Sequence, residues 1–241
     1  MEYIQNSTGG AQYIDTGYAW TSEKATIIAD LTYNTARASS TLFGNEEGYT
    51  TPYSSSKRYF AHILHAGSAN GNFSHYIGIG SVGSIMSLTT GTRYNIEYIA
   101  HGNNTFTSAI TPHGGTRRVL NDKVAYNGTI QTKKHSTSQS VSNCGNIFIF
   151  SNHNAYNGAG AIQQVSAMTL YRFTMYDDGK MVRDFVPARF NGAVGLFDLV
   201  NGNFYKSPNG SSFIAGPAIV NSNEIEFLSD GSTRAGRLVE I

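Results

Sequence analysis

Cysteine, tryptophan, proline and charge are all scarce in this chain. The single cysteine, Cys144, excludes an intrachain disulfide. It lies between Asn143 and Gly145, just ahead of an apolar run and without a basic neighbour, and reads as a small buried residue rather than a reactive thiol. Charged side chains make up 14% of the 241 residues, against roughly 25% in an average domain. They cancel to a net charge of +1, which excludes the basic footprint of a nucleic-acid binder. The densest basic spots, Arg117-Arg118 and Lys133-Lys134, read as solvated turns. No apolar run approaches the ~18 residues of a membrane span, so no membrane insertion is expected. The opening MEYIQNSTGG has neither a basic n-region nor an apolar h-region, so no signal peptide is expected.

Glycine, tyrosine and neutral polar residues take the vacated places. There are 26 Gly, 15 Tyr and 13 Phe but one Trp, and Ser, Thr and Asn fill most polar positions. Such a chain suits β-sheet with many turns and a surface that works through hydroxyls and amides. The turn residues are explicit. Asp178-Gly179, Asn191-Gly192, Asn201-Gly202 and Asn209-Gly210 punctuate the stretch 169–217, and such pairs between alternating runs signal hairpins because both turn positions favour φ > 0.

Alternation marks the strands. EYIQ and QYIDTGY are short extended pieces near the start. Strands are expected at 25–33, 41–44 and 59–66, and in SHYIGIGS around Ile77 and Ile79. Others follow at 92–100, 104–111 and 117–126, and NIFIFS (146–151) is apolar enough to be buried on both faces. Residues 161–176 open a final long strand, with a helix at 161–168 as the alternative. NEEGYTTPYSSSKRY and SNHNAYNGAG read as loops. About a dozen turn-linked strands with no amphipathic helix between them predict an all-β, antiparallel sandwich or barrel. Past Pro217, NEIEFLSDGSTRAGRLVEI reads as a hairpin turning at Asp230-Gly231. The division expected is therefore a sandwich over 1–217 and a hairpin or connector over 218–241.

Motifs of known chemistry are missing. There is no His-Glu-x-x-His, no paired cysteine ligands, no calcium-loop pattern, no Gly-x-Ser-x-Gly elbow and no phosphate-cradling loop. Gly78-Ile79-Gly80-Ser81-Val82-Gly83 fits Gly-x-Gly-x-x-Gly but has no following helix. His62 and His65, three apart on a strand, face opposite ways and cannot share a metal. Glu46-Glu47 alternate faces unless a loop bends them together.

Three segments, YIQNSTGGAQYIDTGY, RVLNDKVAYNG and MTLYRFTMYDDGKMVRDFVPARFNGAVGLFDLVNGNFYKSPNGSSFIAGP, together resemble the laminin-G-like or concanavalin-A-like jelly-roll domains. The resemblance is greatest to those of gut bacterial surface proteins and of bacteriophage or prophage tail and fibre proteins. It implies two stacked antiparallel sheets and a role in binding glycans, binding protein surfaces, or building virions, since this fold hosts many functions. Some members hold calcium at one rim. Asp15 and Asp177-Asp178-Gly179 are the acids most like such ligands, although a hairpin turn accounts for the latter. The expected cofactor is none, with calcium as the alternative and no metal ligand assigned. Related sandwiches include β-glucan hydrolases with paired carboxyls on one strand. The nearest string here, Glu224-Ile225-Glu226-Phe227-Leu228-Ser229, lacks the fifth-position acid. No catalytic residue is assigned, and the chain is expected not to be an enzyme.

Sugar binding needs aromatic platforms ringed by amides and hydroxyls. Two loops fit: Tyr49, Tyr53 and Arg58 with Tyr59, Asn45, Glu46 and Glu47, and His153, Asn154, Tyr156 and Asn157. Trp20 reads as core. The expected function is recognition of host or cell-surface glycan within a phage fibre, virion or bacterial surface protein. The alternatives are a purely structural virion component, contacting fibre or virion subunits or forming a homo-oligomer, and a glycoside hydrolase. The expected location is a virion or the extracellular or cell surface.

Overall fold

A computed structural model describes residues 1–6, 11–22, 24–36, 40–46, 62–66, 71–77, 80–102, 105–125, 146–154, 162–163 and 165–218. The first strands are β1 (Ile4–Gln5), β2 (Ile14–Asp15), β3 (Ala25–Thr35), β4 (Ser40–Glu46), β5 (His62–Ala66) and β6 (Asn72–Ile77). The middle of the chain forms β7 (Gly80–Ser87), β8 (Arg93–Gly102), β9 (Thr105–Pro112), β10 (Arg118–Ala125), β11 (Phe148–Ile149) and β12 (Asn152–Asn154). The last are β13 (Ile162–Gln163), β14 (Ala167–Asp177), β15 (Lys180–Phe190), β16 (Ala193–Asp198), β17 (Phe204–Tyr205) and β18 (Ile214–Ala215). The described residues contain no helix, and the chain is an all-β jelly-roll sandwich.

One sheet has the order β10-β9-β8-β3-β14-β15-β16-β17. The start of β14 also pairs with β1 (Ile4 opposite Leu170), and its second half pairs with β15 from Phe173 onward. β18 closes on the other side of β1. The second sheet runs β13-β12-β4-β5-β6-β7, with β11 joined to both β4 and β2. Alternation explains the layers. Ala25, Ile27, Ala29 and Leu31 of β3 are fully buried while Thr26, Ile28 and Asp30 between them are partly exposed. The inner faces meet through aromatic pairs: Phe43 of β4 against Phe173 of β14 at 5.5 Å, and Tyr33 of β3 against Phe73 of β6 at 5.1 Å. Burying each such side chain contributes about 1.5–3 kcal/mol. Trp20 is buried with them.

The strands expected at 25–33, 41–44, 92–100, 104–111 and 117–126 are present as β3, β4, β8, β9 and β10. Several details differ. SHYIGIGS is not one strand: β6 ends at Ile77, whose antiparallel partner is Gly80 at the start of β7. The expected strand from 161 is divided into β13 and β14, and the helix alternative falls with it. SNHNAYNGAG, expected to be a loop throughout, begins with β12. In the turns, Asp178-Gly179 and Asn191-Gly192 carry positive φ at both positions, as two-residue hairpins require. At 201–202 and 209–210 only the glycine does, because the chain there closes through longer turns. Cys144, residues 126–145 and the C-terminal hairpin from 219 onward lie outside the described residues.

Candidate functional site

The apolar run NIFIFS delivers the candidate site. Ile147, Phe148, Ile149 and Phe150 are all buried, as a doubly covered run must be. Phe148 and Ile149 run antiparallel to β4, opposite Gly44 and Phe43. The Phe150 amide donates to the Leu42 carbonyl at 2.8 Å, and its carbonyl accepts from the Ser166 amide at 2.8 Å. The chain then reverses. β12 lies parallel to β4, with His153 opposite Asn45 and Asn154 opposite Glu46. β13 pairs on β12 (Asn152 with Gln163, His153 with Ile162), and Val165 bridges to Thr41.

Parallel strands end on the same side of a sheet. The chain therefore leaves β4 after Glu46 and β12 after Asn154 side by side, and these are the starting points of the two segments singled out for sugar binding. Of the residues named there, His153 and Asn154 lie in β12, with Asn45 and Glu46 beside them in β4. Tyr49, Tyr53, Arg58, Tyr59, Glu47, Tyr156 and Asn157 lie outside the described residues. Both segments stand out in the sequence by residue type, but the three-residue strand that brings their starts together is too short to show a periodic signal.

The base of this site is hydrogen-bonded throughout. The Asn6 side-chain amide donates to the Ser166 carbonyl, and its oxygen accepts from the Met168 amide at 2.9 Å. Ser166 Oγ also donates to the Phe150 carbonyl at 3.4 Å. A buried asparagine satisfied at both ends fixes the N-terminal segment to the start of β14.

A second aromatic group sits on the outer face of the ten-stranded sheet, where a register shift between Leu170 and Arg172 presents Tyr171. Tyr3 meets it edge-on at 5.5 Å, and the Arg93 guanidinium lies 3.5 Å over its ring. Arg93 is held in turn by a bidentate pair to Asp30 at 2.8 and 2.7 Å. One face of Tyr171 is thus already occupied, which makes this a structural stack.

The acids read as most like calcium ligands have protein partners. Asp15 Oδ1 accepts from the Gly17 amide at 2.8 Å. Asp177 accepts from Tyr18, Thr21 and Ser22, and Asp178 faces Lys24 Nζ at 3.1 Å. Among the described residues no group of three or more His, Cys, Asp and Glu is arranged to hold a metal ion, and no helix is long and apolar enough to cross a membrane. Glu224 and Glu226 lie outside the described residues.

No family model matches the chain, and no curated protein does. Among solved structures it is similar to the K499G mutant of NanB sialidase from Streptococcus pneumoniae, with a TM-score of 0.44 and 9% identity over 88% of this chain. The chain spans 37% of NanB. It is also similar to scytalido-glutamic peptidase, with a TM-score of 0.39 and 12% identity over 85% of this chain and 97% of that one. A third is the protein of unknown function SO2946 from Shewanella oneidensis MR-1, with a TM-score of 0.34 and 13% identity over 71% of each. The expectation that the chain is not an enzyme is corrected here, because the sialidase and the peptidase are both enzymes. At these TM-scores the likeness assigns no reaction to this chain.

Proposed function

We propose that this chain recognises surface glycan through the segments that leave β4 and β12 together. The observation that supports this reading is the in-register parallel pairing of Asn45-Glu46 with His153-Asn154. It gives two amide- and tyrosine-rich segments a common origin, as a sugar site built from aromatic platforms and amide donors needs. The setting that belongs to this proposal is a virion or a cell surface, with surface glycan as the partner.

The test is a glycan array probed with the full chain, with Tyr49→Ala and Tyr156→Ala variants alongside. Saturable binding that is lost in both variants is expected. Binding retained in both, or no binding together with tight self-association, would favour an assembly role in which the same segments contact neighbouring subunits. Bound glycans are also examined for cleavage by mass spectrometry, which tests for a hydrolytic activity directly.

A further inference from the structure

We infer that Phe150 is a positioning residue: its left-handed backbone turns the chain so that Asn152–Asn154 run beside Asn45 and Glu46. The glycan reading supplies only the ligand used in one arm of the test, and the geometry stands without it. Phe150 has φ of 72°, and Lys123, Asp178 and Asn191 also have positive φ. Asp178 and Asn191 are exposed hairpin-turn residues of types that tolerate this region, and Lys123 is exposed at an irregularity of β10. Phe150 differs from all three in being a fully buried aromatic, and a bulky side chain at φ > 0 is a genuine outlier.

Such a conformation persists only where its surroundings over-determine it, and here they do. The amide is held by the Leu42 carbonyl of β4, the carbonyl by the Ser166 amide and hydroxyl ahead of β14, and the ring by Phe213 at 5.1 Å. Asn6 locks Ser166 from the N-terminal segment. The consequence lies in the pairing on either side. Before Phe150 the chain runs antiparallel to β4, and after it parallel. A residue confined to extended backbone at position 150 would continue the antiparallel run past Leu42. His153 and Asn154 would then emerge away from Asn45 and Glu46.

The test compares Phe150→Gly and Phe150→Val in the full chain by hydrogen exchange across Asn152–Asn154, by binding of the strongest glycan found on the array, and by thermal melting. Glycine adopts φ > 0 freely, so exchange at 152–154 and glycan affinity should stay within about twofold of wild type although the lost ring lowers Tm. Valine buries more apolar surface than glycine but resists φ > 0. It should speed exchange at 152–154 by about tenfold or more and abolish binding well below its own Tm. If valine leaves exchange at 152–154 slow, or if both variants lose protection only in step with Tm, the inference is overturned. If wild type binds no glycan, the exchange split between the variants still decides it, and only the glycan reading falls.

Discussion

Tyr18 donates a 2.8 Å hydrogen bond from its hydroxyl to Oδ2 of Asp177, across 159 positions of sequence. The Thr21 amide and hydroxyl reach the same oxygen at 2.8 and 2.6 Å, and Ser22 reaches Oδ1 at 2.6 Å. One carboxylate thus fastens the N-terminal segment to the end of β14. Burial alone would push the Asp177 carboxyl up, but the donors from Ser22, Thr21 and Tyr18 outweigh it and hold the group below the usual aspartate range. A depressed folded value contributes stability that is present above the unfolded value of about 3.9 and is lost as pH falls through the folded one. Urea unfolding of wild type should therefore weaken on acidification through that window, and Asp177→Asn should weaken less steeply. Equal slopes would contradict this.

The same bond has an alkaline side. Burial first, and then Asp177, push the Tyr18 hydroxyl up to about 12. Its contribution is complete below the ordinary tyrosine value of about 10 and is lost as pH rises through the folded one. Tyr18→Phe should remove that part of the alkaline slope in the same urea titration, and an unchanged slope would show that other groups carry it.

Arg183, partly exposed, meets the fully buried Asp198 in a pair of a different kind. Asp198 Oδ1 accepts from the Asp184 and Val200 amides at 2.9 and 3.0 Å. Among the described residues Oδ2 makes no hydrogen bond; it meets Arg183 Nε at 3.5 Å, while that Nε donates to the Thr16 carbonyl at 2.9 Å. Asp198→Ala removes the acceptor of the Asp184 and Val200 amides together with the countercharge of Arg183, so it should cost about 1–3 kcal/mol in denaturant unfolding. A loss under about 1 kcal/mol would show that Arg183 is satisfied without it.

Gly195 packs against the backbone of β17. A Cβ there would overlap the Tyr205 carbonyl and sit 2.9 Å from the Phe204 ring. Gly195→Ala should cost at least about 2 kcal/mol and release the β16–β17 pairing. A near-neutral result in chemical denaturation would mean that β17 moves aside freely.

The described Asn-Gly turns should age at different rates. Succinimide formation needs a free side-chain carboxamide for the following glycine amide to attack. The side chain of Asn201 is held by Tyr205 and the Asn203 amide, and that of Asn209 by the Ala11 carbonyl, the Ser211 amide and Ser207. Asn191 is exposed and makes no side-chain hydrogen bond among the described residues. Peptide mapping of incubated protein should find amide-to-acid conversion at Asn191 before Asn201 and Asn209. Conversion at either of those first would contradict the ranking.

The layers of the fold were legible because alternation is local: every second residue of ATIIADL points inward, and Asp178-Gly179 and Asn191-Gly192 can hardly be anything but hairpins. The candidate site was legible only in halves. Its residue types stood out, but their adjacency depends on a parallel strand three residues long, which is too short for any periodic signal. It depends as well on a left-handed turn at Phe150, a residue type that gives no hint of that conformation. SHYIGIGS misled for the opposite reason, since its alternation continues through the place where β6 gives way to β7. Asn6 and Ser166 owe their roles to partners elsewhere in the sequence and carry no local mark at all.

Sugar is expected to engage the chain where β4 and β12 end together. Hydrogen exchange of the full chain, with and without the strongest glycan from the array, measures this directly. Slowed exchange concentrated at Asn45-Glu46, Asn152–Asn154 and the segments that follow them is the expected result. Slowed exchange confined to the outer face around Tyr171 and Arg93, or none anywhere with a glycan that binds, would contradict it.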